Sequence, residues 1–216
     1  KGHIEAYLIG GTLILALGVV DDRFSLGAFP KLTIQIAAAA VAIAFGFQID
    51  HLTDPVSRSA WMFPTWLVWV GTGSWIVGVT NAMNLIDGLD GLCTGVGIII
   101  TATLTYIAWQ GGLVEGQVVG TVMAGALLGF LYWNFPPARI FLGDAGSLLL
   151  GYSLGASALL AFRAGPPGWA QWSPFFVLAY PAFNMVFIVA MRLREGRKIY
   201  VGDRGQSNLR LASVIQ

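Results

Sequence analysis

Seven apolar runs divide this chain, at residues 6–20, 32–49, 63–80, 92–109, 117–133, 147–162 and 173–191. A helix crosses a hydrocarbon core with about 20 mostly apolar residues. Several runs are shorter than that, so their bounds are soft by a few residues. Inside hydrocarbon every backbone N–H and C=O must pair internally, and a helix does so within one segment. Buried helices of a large soluble protein are the alternative. Composition argues against it: only 11% of the residues are charged and 56% are hydrophobic, where a soluble domain carries about 25% charged residues. Mean hydropathy is +0.72. The expectation is an all-α integral membrane protein, a polytopic bundle of about seven transmembrane helices in the lipid bilayer.

Alternating the runs across a membrane sorts the connections into two sets. Residues 21–31, 81–91, 134–146 and 192–216 fall on one side, and 50–62, 110–116 and 163–172 on the other. The first set holds Arg23, Lys31, Arg139, Arg192, Arg194, Arg197, Lys198, Arg204 and Arg210, nine of the twelve basic residues. Lys1, Arg58 and Arg163 lie opposite. Basic residues gather on the cytoplasmic side of multi-pass proteins, so the first set reads as cytoplasmic. Trp61, Trp66, Trp109, Trp169 and Trp172 sit near the opposite ends of the runs, as interfacial anchors do. A net charge of +1 carries no nucleic-acid footprint, and the single cysteine, Cys93, excludes an internal disulfide. No signal peptide is visible. The chain opens on Lys1 and runs almost directly into apolar sequence, which reads as a cut start.

The same alternation places Asp21, Asp22, Asp87, Asp90 and Asp144 on the cytoplasmic side. Any one of them reads equally well as a solvated helix cap. Five together repel unless a cation or a basic side chain compensates. Asp87 and Asp90 share one face if their stretch is helical. Gly88, Gly91, Gly143 and Gly146 flank the acids, either making turns or letting backbone approach a ligand. Acids near a bilayer mark functional sites by default. An oxygen-rich set with flexible spacing suits Mg²⁺, which takes one or two carboxylates plus phosphate oxygens and water; Mn²⁺ is a substitute. Carboxylates with a nearby metal, Lys31, Arg23 and the basic last loop together describe a phosphoryl-transfer site.

Three segments carry a resemblance. They are Gly18-Val19-Val20-Asp21-Asp22-Arg23-Phe24 with Lys31 and Gln35 following, Asn81-Ala82-Met83-Asn84-Leu85-Ile86-Asp87-Gly88-Leu89-Asp90-Gly91-Leu92, and Phe141-Leu142-Gly143-Asp144-Ala145-Gly146-Ser147. In order and spacing they resemble the polyprenyl-phosphate N-acetylhexosamine-1-phosphate transferase family, of the glycosyltransferase family 4 type. The double-aspartate segment is nearer the UDP-N-acetylglucosamine–undecaprenyl-phosphate branch than the phospho-N-acetylmuramoyl-pentapeptide branch. The resemblance covers roughly residues 10–204. It implies transfer of a sugar-1-phosphate from a UDP-N-acetylhexosamine to polyprenyl phosphate, with release of UMP, at the cytoplasmic face of a bacterial plasma membrane. It implies Asp144 and Asp22 at Mg²⁺, and Asp21 and Asp22 at the lipid phosphate, one of them a candidate base. It implies Lys31 neutralising that phosphate, Asn84, Asp87 and Asp90 at the nucleotide, and Phe141 stacking on uracil. The family fold has ten to eleven helices, so residues 1–216 read as one transferase domain lacking N- and C-terminal family segments.

The chain also departs from the family pattern. Relatives carry a histidine-rich motif after Asp-Arg-Gly, whereas Gly202-Asp203-Arg204-Gly205 is followed by Gln206, Asn208 and Leu209 at the histidine places. Asn184 stands where an acid is common, and the only histidines, His3 and His51, lie on the opposite side. A degenerate homologue that binds polyprenyl phosphate or a nucleotide sugar without turnover is therefore the second reading. An ion-coupled transporter is the third; it wants acids near the midplane of broken helices, and these acids sit at run ends. The glycine-rich run Gly120–Gly129 packs helices either within the fold or across a homodimer.

Overall fold

A computed structural model describes residues 2–54, 56–164 and 169–196. Each apolar run carries helix in it, although run 32–49 ends its helix at Ala44. The helices are α1 (His3–Phe24), α2 (Ala28–Ala44), α3 (Thr65–Ile86), α4 (Leu92–Gln110), α5 (Val114–Asn134), α6 (Gly143–Ala164), α7 (Trp169–Val177) and α8 (Ala179–Arg194). Among the described residues four are long and apolar enough to cross a membrane: α1, α4, α5 and Gly143–Arg163 of α6. The α7–α8 pair, bent by 48°, makes a fifth if taken as one broken span. The remaining two runs fall short for different reasons. α2 has 17 residues. α3 has 22, but Thr72, Thr80, Asn81 and Asn84 dilute its apolar character. The chain is a multi-pass helical membrane protein.

Run 173–191, expected as one helix, is broken at Leu178. Pro181 has no N–H for the carbonyl of Val177, and its ring crowds that carbonyl, so α7 ends there. Residues 50–62, expected as a plain connection, hold a short antiparallel hairpin. Its strands β1 (His51–Thr53) and β2 (Ala60–Met62) pair in the register His51↔Met62, Leu52↔Trp61 and Thr53↔Ala60. Asp54 starts the turn: its Oδ1 accepts the backbone N–H groups of Val56 (2.7 Å) and Ser57 (3.1 Å), which hold its carboxyl below the usual range.

α6 is the central helix. Of its apolar stretch 78% is buried, against 11% for α5, which lies at the edge. Between lipid-soluble helices association depends on packing rather than on exclusion of water, so small residues mark the closest crossings. Two glycines set those crossings. A Cβ on Gly18 of α1 would lie 2.3 Å from Ala145 Cα, and a Cβ on Gly151 of α6 would lie 2.6 Å from Thr80 Cα in α3. Backbone meets backbone at both places. One apolar cluster, including Ile14, Leu17, Ala38, Phe47, Leu148 and Tyr152, joins α1, α2 and α6. A second, including Val79, Met83, Ile100, Leu104, Leu150 and Leu154, joins α3, α4 and α6.

The two ends of the bundle are chemically distinct. At one end His3 Nδ1 meets Glu115 Oε2 (2.6 Å), Gln171 Nε2 meets His51 Nε2 (3.0 Å), and Trp172 Nε1 donates to Thr53 O (3.0 Å). Trp61, Trp66 and Trp109 are exposed near that end. The carboxylates singled out in the sequence lie at the other end, as the alternation of runs requires.

Candidate active site

Asp144 stands in the first turn of α6, and three helices meet around it. Lys31 Nζ of α2 donates to its Oδ2 (3.2 Å), and Asn84 Nδ2 of α3 donates to its Oδ1 (2.8 Å). Asn84 also reaches Ser147 Oγ (2.9 Å), whose hydroxyl donates back to Gly143 O (2.8 Å). Both oxygens of Asp144 are thereby oriented by side chains from other elements. Lys31 reaches the site because α1 ends in a left-handed residue, Ser25 (φ 49°), and α2 starts at Ala28.

Asp21 and Asp22 are adjacent yet have separate duties. Asp21 is 3% exposed. Its Oδ1 accepts the backbone N–H of Leu26 (2.7 Å), and its Oδ2 forms an ion pair with Lys31. Asp22 is exposed and caps another helix: its Oδ1 accepts the N–H of Asp144 (2.8 Å) and its Oδ2 the N–H of Ala145 (3.1 Å). These are the first amides of α6, where a carboxylate also complements the positive helix terminus. Gly143 makes room for it. Its φ is +66°, and a Cβ there would sit 3.0 Å from Asp22 Oδ2.

Asp87 caps the C-terminus of α3. Burial raises its carboxyl to about 6, and the negative charges of Asp144 and Asp22 add to the effect. Among the described residues no hydrogen bond to its carboxylate is seen. Asp87 and Asp90 do not share a helical face. α3 stops at Ile86, residues 87–91 form turns, and Gly91 takes φ +73° before α4. Asp90 instead accepts the N–H of Ala138 (3.0 Å) and ties that turn to residues 135–142. Phe141 lies in the same segment and is 74% exposed.

The structure thus gathers Asp21, Asp22, Lys31, Asn84, Asp87 and Asp144, and leaves Asp90 on the α3–α4 turn and Phe141 on the α5–α6 segment. Arg192 and Arg194 lie in the last turn of α8. Arg197, Lys198, Arg204, Arg210 and the departures at Gln206, Asn208 and Leu209 lie outside the described residues, as does Lys1. Three further polar residues have roles that the sequence did not suggest. Buried Asn134 accepts from Gly91 N (3.1 Å) and Thr94 Oγ1 (2.8 Å) and donates to Ile140 O (2.9 Å), which joins both loops. Gln35 and Asn81 bond to one another between α2 and α3. An amide within or at the end of an apolar run was the available signal.

A family model described as "Glycosyl transferase family 4" matches residues 4–162. A "Probable undecaprenyl-phosphate N-acetylglucosaminyl 1-phosphate transferase" of Bacillus subtilis (strain 168) is 35% identical over 209 residues, covering 97% of this chain and 58% of that protein. A "Decaprenyl-phosphate N-acetylglucosaminephosphotransferase" of Mycolicibacterium smegmatis is 34% identical over 235 residues, covering 98% and 57% respectively. A "Phospho-N-acetylmuramoyl-pentapeptide-transferase" of Latilactobacillus sakei subsp. sakei is 39% identical over a shorter stretch of 161 residues, covering 68% and 49%. The chain therefore spans less than two thirds of the length of these relatives.

Proposed function

This chain belongs to glycosyl transferase family 4, and from that premise we propose that it moves N-acetylhexosamine-1-phosphate from a UDP-sugar to polyprenyl phosphate at the cytoplasmic face of a bacterial plasma membrane. An oxygen of the lipid phosphate attacks the sugar-bearing phosphorus of the UDP-sugar. The bond between that phosphorus and the bridging oxygen breaks, and UMP leaves with the electron pair. The lipid phosphate is mostly ionised at neutral pH, so the attack needs no proton acceptor. The relatives named for N-acetylglucosamine phosphate transfer support that sugar.

The observation that carries the reading is the clamping of Asp144 by Lys31 and Asn84. It holds one carboxylate and one ammonium in fixed geometry at the membrane edge, where a phosphate head group meets a soluble nucleotide. Lys31 neutralises the incoming lipid phosphate. Asp21 holds Lys31 and the following turn in place, and Asp22 holds the start of α6. Phe141, exposed beside this site, offers a ring to uracil.

The donor set fits Mg²⁺. Burial first, and then the field of two other carboxylates, raises the Asp87 carboxyl; a cation relieves the second effect. Among the described residues no three His, Cys, Asp or Glu side chains converge as a full metal cage, and Mg²⁺ asks for only one or two carboxylates beside phosphate and water. Asp144 and Asp22 would hold it, each through lone pairs that its present hydrogen bonds leave open, with Asp87 in the field of both. When bound, it would neutralise negative charge on the diphosphate of the donor and on the departing UMP.

The test is transfer of radiolabel from UDP-N-acetylglucosamine into extractable lipid, with undecaprenyl phosphate and Mg²⁺, alongside UMP release. The second reading, binding without turnover, is favoured by Gln206, Asn208 and Leu209 at the family's histidine places. Nucleotide-sugar binding without UMP release would establish it in place of the first.

A further inference from the structure

We propose that Gln35 and Asn81 are positioning residues which set the register of α2 against α3, and through it the grip of Lys31 and Asn84 on Asp144. The inference rests on the transferase reading for its kinetic consequence, and on geometry alone for its structural one.

Gln35 is 2% exposed, in the middle of an apolar helix. Its Nε2 donates to Asn81 Oδ1 (3.3 Å), and Asn81 Nδ2 donates to its Oε1 (2.6 Å). Asn81 Nδ2 also donates to Val77 O in its own helix (2.8 Å). The two amides exchange hydrogen bonds head to head, an arrangement that holds at only one axial offset of the helices. Around it the α2 surface is Ala38, Ala39 and Ala42, small and smooth side chains that set separation but not axial position.

Spacing links the pair to the site. Lys31 precedes Gln35 by four residues and Asn84 follows Asn81 by three, so each partner lies on the same helix face, one turn away. A slip of one residue moves a helix about 1.5 Å along its axis. That slip would shift Lys31 relative to Asn84 by the same distance, so the two could not both hold Asp144 at the present 3.2 and 2.8 Å.

Stability does not account for the pair. Hydrogen bonds between membrane helices contribute modestly, because the separated helices also find partners. An apolar pair would pack without the desolvation cost of two amides. What amides add is direction without charge, so the balance between Lys31 and the carboxylates is left intact.

The experiment uses Gln35→Leu, Asn81→Leu, Gln35→Asn, Asn81→Gln and the exchange Gln35→Asn/Asn81→Gln, which restores the combined reach. Catalysis is sensitive to misplacement of about 1 Å, so each single variant is expected to lose on the order of 10- to 100-fold in kcat. KM for the UDP-sugar should stay near the wild-type value; each single variant leaves one buried amide without its partner, so melting temperature should fall and recover in the exchange. The exchange should recover most of the rate. A second readout needs no turnover: mass-spectrometric acylation of Lys31, with Lys198 as internal reference. Lys31, released from its carboxylates, should react faster in the Leu variants and slowly again in the exchange. Wild-type kcat and unchanged Lys31 reactivity in folded single variants would overturn the proposal. If the wild type shows no transfer while Lys31 responds as described, the positioning stands and the transferase reading falls.

Discussion

The carboxylate of Asp22, near the end of α1, accepts the backbone N–H of Asp144, the second residue of α6, at 2.8 Å. One acid thus fixes the helix terminus from which the other projects. The adjacent Asp21 faces Lys31 and Leu26 instead, so the two neighbours are not interchangeable.

This separates two mutational outcomes. Asp144→Asn should remove transition-state charge stabilisation and lower turnover on the order of 10³-fold, with folding retained. Asp22→Ala should lose the cap on α6 and cost about 1 kcal/mol of stability. Initial rates over a range of Mg²⁺ concentrations, paired with detergent melts, distinguish them. A folded Asp144→Asn protein with near-normal rate would remove Asp144 from the reaction. Full turnover in EDTA would remove the metal.

Gly18→Ala should be among the most damaging single-methyl additions in the chain. Its Cβ would meet the backbone of Ala145 at 2.3 Å, and backbone cannot rotate away. A loss of about 3 kcal/mol or a failure to accumulate in membranes is expected. Gly125→Ala on α5 is the control: nothing lies within 4 Å of its Cβ, and stability should stay within about 0.5 kcal/mol. Detergent melts of both variants test the contrast.

Asp87 yields a pH prediction for the metal-free protein. Its native carboxyl is raised from 3.8 to about 6. The folded state therefore holds this proton over a range where the unfolded state has released it. Its contribution is full below the unfolded value and is lost as pH rises through the native one. Asp87→Asn should melt above the wild type at pH 8 in EDTA, and level with it near pH 4. Equal melting temperatures at pH 8 would show that the carboxylate is not held in an unfavourable field.

Topology can be read with single cysteines, because Cys93 is buried. Gly88→Cys lies at the carboxylate end and Ser57→Cys in the opposite hairpin turn, both at exposed positions. An impermeant maleimide should label Ser57→Cys in intact cells and Gly88→Cys only in inverted vesicles. Labelling of Gly88→Cys in intact cells would reverse the orientation.

By itself the sequence determined that this chain lives in a membrane, which residues form helices, and which acids share an end. Those properties follow from hydropathy over about 20 residues and from simple alternation. Gly91 and Gly143 beside the acids were legible as places of close approach or turn; the close crossing at Gly18 was not. Other features depended on elements far apart in the chain. Pro181 broke the last run through its clash with one specific carbonyl, and that a proline would split the run rather than merely end it was not encoded in hydropathy. The division of labour between Asp21 and Asp22 followed from α6 docking against Gly18 more than a hundred residues downstream. Asp87 and Asp90 parted because a turn, not a helix, joins α3 to α4. Gln35 and Asn81 were visible as polar residues in apolar company, but a hydrogen-bond partner is a property of distance and angle between helices. Only the packed bundle sets those.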